Sequence, residues 1–148
     1  MDVLIVDLPP GTGDAQLSLS QRIPISGAII VSTPQPVALD DARKGLTMFQ
    51  KVNVPVFGLV ENMSYFRCPD CDHLHHIFGQ GGAKKLADEF GLPLLAELPL
   101  ETAIREDSDR GLPAVLDPKT TSSAVFHDLA QSVVDRLGLT QAVLEIES

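Results

Sequence analysis

Near its start the chain reads Val3-Leu4-Ile5-Val6-Asp7-Leu8-Pro9-Pro10-Gly11-Thr12-Gly13-Asp14. The run from Val3 to Val6 offers no polar face, which predicts a buried strand in the middle of a parallel sheet. An acid closes the run and a Pro/Gly turn follows. Open α/β sheets place ligands outside the carboxyl ends of their strands, and Asp7 is expected at such an end. A carboxylate there suits the water shell of Mg²⁺, which takes one or two carboxylates together with substrate phosphates. Gly11 and Gly13 lack a Cβ, so their backbone N–H groups can approach an anion. No Gly/Lys-rich phosphate loop precedes this element in the sequence.

Downstream, strand-like and helix-like segments alternate. Helices are expected over 15–22 with Asp14 as N-cap, over the stretch opened by Pro36, over 83–90, over 102–110 and over 122–137. Leu39, Ala42, Leu46, Phe49 and Val52 recur at three- and four-residue steps, giving the second helix one apolar stripe. Gly91 and Gly138 supply helix stops. Strands are expected at 27–32, at 54–60 running into Glu61-Asn62-Met63, and at 92–98, the last cut short by Pro99. Residues 64–82 read as an irregular loop. The pattern predicts an α/β fold with a mainly parallel sheet and helices on both faces. One domain fills residues 1–138, and 139–148 form an acidic tail.

Composition narrows the function. The 148 residues suit one domain with a core. A net charge of -9, 5% aromatic content and no Trp argue against a nucleic-acid surface, which needs cations and stacking platforms. No apolar run approaches the ~18 residues of a membrane span. A cytoplasmic protein is expected, in which the two cysteines do not form a structural disulfide.

Those cysteines form Cys68-Pro69-Asp70-Cys71, the two-residue spacing that lets both thiolates face one metal. Dithiol redox chemistry is the competing use, but such motifs open a helix after a strand, whereas this pair sits in the expected loop. Zinc and iron–sulfur sites want about four protein ligands, and the pair supplies two. Either His73, His75 or His76 completes the site within one chain, or a two-fold dimer brings two pairs together on its axis. In the dimer Tyr65 and Phe66 would make apolar contacts. A structural zinc clip is the plainer reading of the same spacing.

The full stretch Asp7–Asp14 resembles the Walker-B and switch element of the Mrp/Nbp35/ApbC family, a MinD/ParA-like branch of the P-loop ATPases of SIMIBI type. The similarity continues through Ser32-Thr33-Pro34-Gln35, Val60-Glu61-Asn62-Met63-Ser64-Tyr65-Phe66, Cys68-Pro69-Asp70-Cys71, Ile77-Phe78-Gly79, Gly81-Gly82, Leu98-Pro99-Leu100 and Ile104-Arg105-Glu106 with Asp109. Members of that family act as ATP-dependent iron–sulfur cluster carriers. The resemblance implies that Asp7 holds the Mg²⁺ water shell and that the Gly11 backbone senses the γ-phosphate of ATP. It implies that Asn62 reads the adenine edge, with Pro99 and Leu100 against the base through main-chain contacts. Without it, Asn62 is a turn-closing asparagine. Asp14 is either a switch residue or a helix cap.

For Cys68 and Cys71 the resemblance implies a 4Fe–4S cluster bridging a homodimer, delivered to apo iron–sulfur proteins, with Zn²⁺ able to take the same thiolates. The alternative is a positioning ATPase of the MinD/ParA kind with a zinc clip. The phosphate loop and its strand, which lie between the Walker-B strand and the 27–32 strand in this branch, are absent. The expectation is therefore the C-terminal half of such a protein, hydrolysing no ATP alone, with a gap in its ladder and unpaired apolar edges.

Overall fold

The computed structural model of the chain describes residues 3–9, 13–117 and 121–139. Its elements run α1 (Asp14–Arg22), β1 (Ala28–Ser32), α2 (Pro36–Lys51), β2 (Val56–Arg67), β3 (Leu74–His75), α3 (Gly82–Phe90), β4 (Leu94–Pro99), α4 (Thr102–Asp109) and α5 (Thr121–Arg136), with a 3₁₀ turn at Ala114–Leu116 before α5. Strand β2 is central. It pairs in parallel with β1 on one side and β4 on the other, and its far end folds back antiparallel against β3.

The main core lies between the sheet and helices α2 and α3. The stripe read from the sequence is the buried face of α2: Ala42, Leu46 and Phe49 are buried, joined by Met48, while Leu39 and Val52 pack at the margin. Leu46 and Leu59 are fully enclosed, each worth about 1.5–3 kcal/mol of burial. Successive strand residues face opposite ways, so Val60, also buried, lies outside the Leu59 cluster. Helix α5 packs against β4 and the 3₁₀ turn. Pro36 opens α2, and Gly91 (φ 65°) and Gly138 (φ 69°) sit at the expected stops.

Four expectations are corrected. Residues 3–6 are not a buried sheet strand: Leu4 is 67% and Ile5 85% exposed, and the segment has no ladder partner among the described residues. An apolar run becomes a strand only beside a neighbour, and among the described residues the outer edge of β1 has no partner either. Gly13, not Asp14, is the N-cap of α1, and Asp14 is its first helical residue. Residues 64–82 are not wholly irregular, since β2 continues to Arg67 and turns back through β3. Pro99 is the last residue of β4, opposite Tyr65 and just past the register break, and a proline is tolerated at such a break because it has no N–H to lose from the ladder.

Candidate functional site

Because β1, β2 and β4 run parallel, their carboxyl ends share one edge. Ser32 lies opposite Glu61, and Glu61 opposite Glu97. Beyond that rung the register breaks: β2 uses residues 61–65 where β4 uses 97–99. The surplus is a bulge at Asn62, Met63 and Ser64, with Met63 at φ 55°. Bulges of this kind re-aim side chains and concentrate beside active sites. Within it Asn62 Oδ1 accepts the Met63 amide at 2.9 Å. The bond reaches only the next residue, not two residues on as in a side-chain turn, and it engages only the oxygen of the carboxamide.

The structure brings Asn62, Pro99 and Leu100 to this one edge. The Leu100 N–H donates to the Tyr65 carbonyl at 2.7 Å, which commits that amide to the fold. Burial, with Glu101 beside it, pushes the Tyr65 phenol above its ordinary value. Phe66, Ile77, Leu100, Thr102 and Arg105 line an open cleft of about 370 Å³ on this flank. Asp7 is exposed and lies on no strand, against the expected strand-end position. Gly11 lies outside the described residues.

Glu61 was not singled out by sequence reasoning, yet it is fully buried. Its Oε1 accepts from the Ser64 hydroxyl and its Oε2 from the Ala83 amide, both at 2.7 Å. Helix α3 begins after Gly81, which has no side chain to cap it, so Glu61 satisfies an orphan N–H from a different element. Gly82 is required there: a Cβ would lie 2.5 Å from Leu39 Cδ1 and 3.0 Å from the Pro34 carbonyl oxygen. The Thr33–Gln35 and Gly79–Gly82 segments thereby meet at the same edge.

The cysteines occupy the tip of the β2–β3 hairpin. Phe66 pairs with His75 and Arg67 with Leu74. The Cys68 N–H donates to the His73 carbonyl, and the Asp72 N–H to the Cys68 carbonyl, each at 2.9 Å. Asp72 takes the left-handed conformation (φ 57°) that closes the turn. The backbone N–H groups of Asp70 and Cys71, and then the Cys71 thiol, donate to the Cys68 sulfur and hold its thiol below the usual range. A sulfur solvated by amides is ready to be a thiolate ligand. Cys68 is half-buried and Cys71 exposed.

The histidines do not complete this pair. His73 and His75 stack edge-on at 4.8 Å between ring centres, and His76 Nδ1 lies 3.0 Å from the Ser64 carbonyl oxygen. Among the described residues no group of three or more His, Cys, Asp or Glu side chains is placed to hold a metal. The donor set fits half of a tetrathiolate site.

Residues 1–134 match the family model described as ParA: NUBPL iron-transfer P-loop NTPase. The chain belongs to this family. It is 57% identical over 138 residues to the iron-sulfur cluster transfer protein NUBPL of Mus musculus, covering 93% of this chain and 43% of the relative. It is 50% identical to the iron-sulfur cluster carrier protein of Escherichia coli (strain K12), covering 93% and 37% respectively. The chain thus spans less than half the length of these curated relatives. Among solved structures it resembles a nucleotide-binding protein from Archaeoglobus fulgidus in complex with ADP, with cobalt found. The TM-score is 0.66 and the identity 40%, over 75% of this chain and 46% of that one. It also resembles the cell division ATPase MinD of Pyrococcus furiosus at TM-score 0.57 and 28% identity, over 74% and 43%. The α/β architecture of a MinD/ParA-type P-loop NTPase follows. No helix among the described residues is long and apolar enough to cross a membrane.

Proposed function

We propose that this chain is the cluster-holding part of an ATP-gated iron–sulfur carrier. Its cargo is a 4Fe–4S cluster bound between the Cys68/Cys71 pairs of two copies and passed to apo iron–sulfur proteins. The observation that carries this reading is the hairpin itself. It presents two sulfurs, one favoured as a thiolate by backbone amides, on a tip with no third ligand among the described residues. A two-fold axis through such a tip supplies the missing half, because an isologous interface sets each patch against itself. The relatives' names as cluster carriers support the cargo.

The nucleotide side of the proposal uses the shared strand edge. Asn62 presents its amide from the bulge to an adenine edge, and the Pro99–Leu100 turn lies against the base. Asp7 would hold the water shell of Mg²⁺, and Gly11 the γ-phosphate contact; the metal would neutralise phosphate charge there. The tip and Asn62 ride on one strand, β2, so a nucleotide-driven movement at that edge would reach the cysteines through continuous backbone.

Anaerobic reconstitution with iron and sulfide tests the cargo. The expected product is a brown dimer with roughly four irons per two chains. Cys68→Ala or Cys71→Ala abolishes it. A protein that binds zinc and refuses iron, or a variant that keeps a full cluster, overturns the assignment.

A further inference from the structure

The cysteine excursion begins at the bulge around Ser64, just before the last β2–β4 rung at Tyr65, and ends where α3 starts at Gly82 and Ala83. Both points are held by one side chain. Glu61 Oε1 accepts from Ser64 Oγ and Oε2 from the Ala83 amide, each at 2.7 Å and each buried. Ser64, itself 1% exposed, also offers its carbonyl oxygen to His76 Nδ1 in the returning arm at 3.0 Å. The cysteine excursion therefore has a buried carboxyl foot gripping its entrance and exit together.

We infer that Glu61 is a positioning residue that fixes the angle of the cysteine hairpin against the sheet, and with it the placement of Cys68 and Cys71 for a cluster shared with a second copy. The second clause rests on the carrier reading above; the first does not. From Ser64 to Cys68 a strand advances about 13 Å at about 3.3 Å per residue. A tilt of about 10° at the foot moves the tip by about 2 Å, close to the full length of a metal–thiolate bond at about 2.3 Å. A site assembled from two chains doubles that error, since each tip brings its own. A turn that only had to bind metal alone would need no such foot, because its own bonds from Cys68 to His73 and Asp72 shape it locally.

The carboxylate is suited to the task. It is acceptor-only when ionised, and it faces two donors. Gln keeps the geometry: its oxygen accepts from Ala83 while its NH₂ donates to the Ser64 hydroxyl, which reverses its own role. Ala removes both grips, and Ser64→Ala removes one while leaving Glu61 on Ala83.

Residual dipolar couplings of the backbone amides in the intact chain read the angle directly. In the wild type and in Glu61→Gln, amides 66–75 fit the same alignment as β1, β2 and β4. In Glu61→Ala their couplings fall about twofold, as expected for a segment passing from rigid to flexible backbone, while the sheet amides keep theirs. Ser64→Ala gives an intermediate loss and serves as the readout should Glu61→Ala not fold. Hairpin couplings in Ser64→Ala and Glu61→Ala that match the wild type overturn the inference, as does a Gln variant as loose as Ala. In parallel, iron per chain pair after reconstitution should drop at least fivefold in Glu61→Ala and recover in Glu61→Gln. A wild type that takes up no iron defeats the carrier reading, while the couplings still decide what Glu61 does.

Discussion

The Leu100 amide and the Tyr65 carbonyl, 2.7 Å apart, join the end of β4 to β2 on the far side of the bulge. That one bond restores a parallel rung after the register break between Glu61 and Tyr65. It keeps the Pro99–Leu100 turn beside Asn62.

Removing this donor should therefore loosen the edge. Leu100→Pro deletes the N–H and strands the Tyr65 carbonyl, at a cost of about 1–3 kcal/mol. Leu100→Ala keeps the bond and loses only part of the cleft wall, so it should cost less. Urea midpoints of the two variants decide the order; a Pro variant as stable as the Ala variant would show that the rung is dispensable.

Gly82→Ala probes the junction of two glycine- and proline-bearing loops. Its Cβ would meet Leu39 Cδ1 at 2.5 Å and the Pro34 carbonyl oxygen at 3.0 Å. The leucine tip can swing, whereas the carbonyl is backbone, so overpacking should cost about 1–3 kcal/mol. Gly91→Ala is the useful contrast: it meets no crowding but must hold φ 65°, and about 1–2 kcal/mol of left-handed strain is expected. Thermal melts of both should fall below wild type, with crystal or NMR shifts near Pro34 only in the first.

Much of this was legible because local chemistry and tertiary demand agreed. Pro36, the 39–52 stripe and Gly91 each specify a helix boundary or face without reference to the rest of the chain. The misreadings came where partners distant in sequence decide. Val3–Val6 looks like a core strand by composition, yet a strand exists only in a ladder. The interruption at Asn62–Ser64 read as the end of β2, whereas the pairing with β4 absorbs it as a bulge and Tyr65–Arg67 continue the strand. Glu61 only followed the apolar run of the 54–60 strand. Its Ser64 partner, three residues on, was a local signal. The other was the start of α3 at Gly81-Gly82-Ala83, a helix with no cap of its own, which must borrow an acceptor.

Titration of Cys68 gives a pH-dependent test. The amides of Asp70 and Cys71 lower its thiol below the ordinary value, which is about 8.5 for a free thiol. For an acid with a depressed folded value, the favourable contribution is present above the unfolded value and is lost as pH falls through the folded one. Alkylation of Cys68 in Cys71→Ser protein should accordingly inflect below about 8.5 when folded and return to about 8.5 in guanidinium. Because the Cys71 thiol is only one of the donors, and not the first, the variant should retain most of the depression. A folded inflection at or above the denatured one would remove the amide-solvated turn from the argument. Protons and metal compete for the same sulfur, so metal uptake should weaken as pH falls through that inflection.

The exposed apolar edge yields the last test. Leu4, Ile5 and Val6 are 67%, 85% and 51% exposed, and Val31 is 59% exposed on β1, whose outer edge has no partner among the described residues. Unpaired strand edges with apolar side chains recruit other chains, so this chain should self-associate as concentration rises. The association should be distinct from any made by the cysteine tip. Leu4→Lys with Ile5→Lys should cost less than about 0.5 kcal/mol, as surface changes do, while moving the sedimentation profile toward monomer in the absence of iron. Leu46→Ala, inside the core, should instead cost about 2–5 kcal/mol without dispersing aggregates. If the double lysine variant unfolds, residues 3–6 carry packing that their exposure does not reveal. If it sediments as the wild type does, the edge is not what brings chains together, and the cysteine hairpin becomes the surface to mutate next.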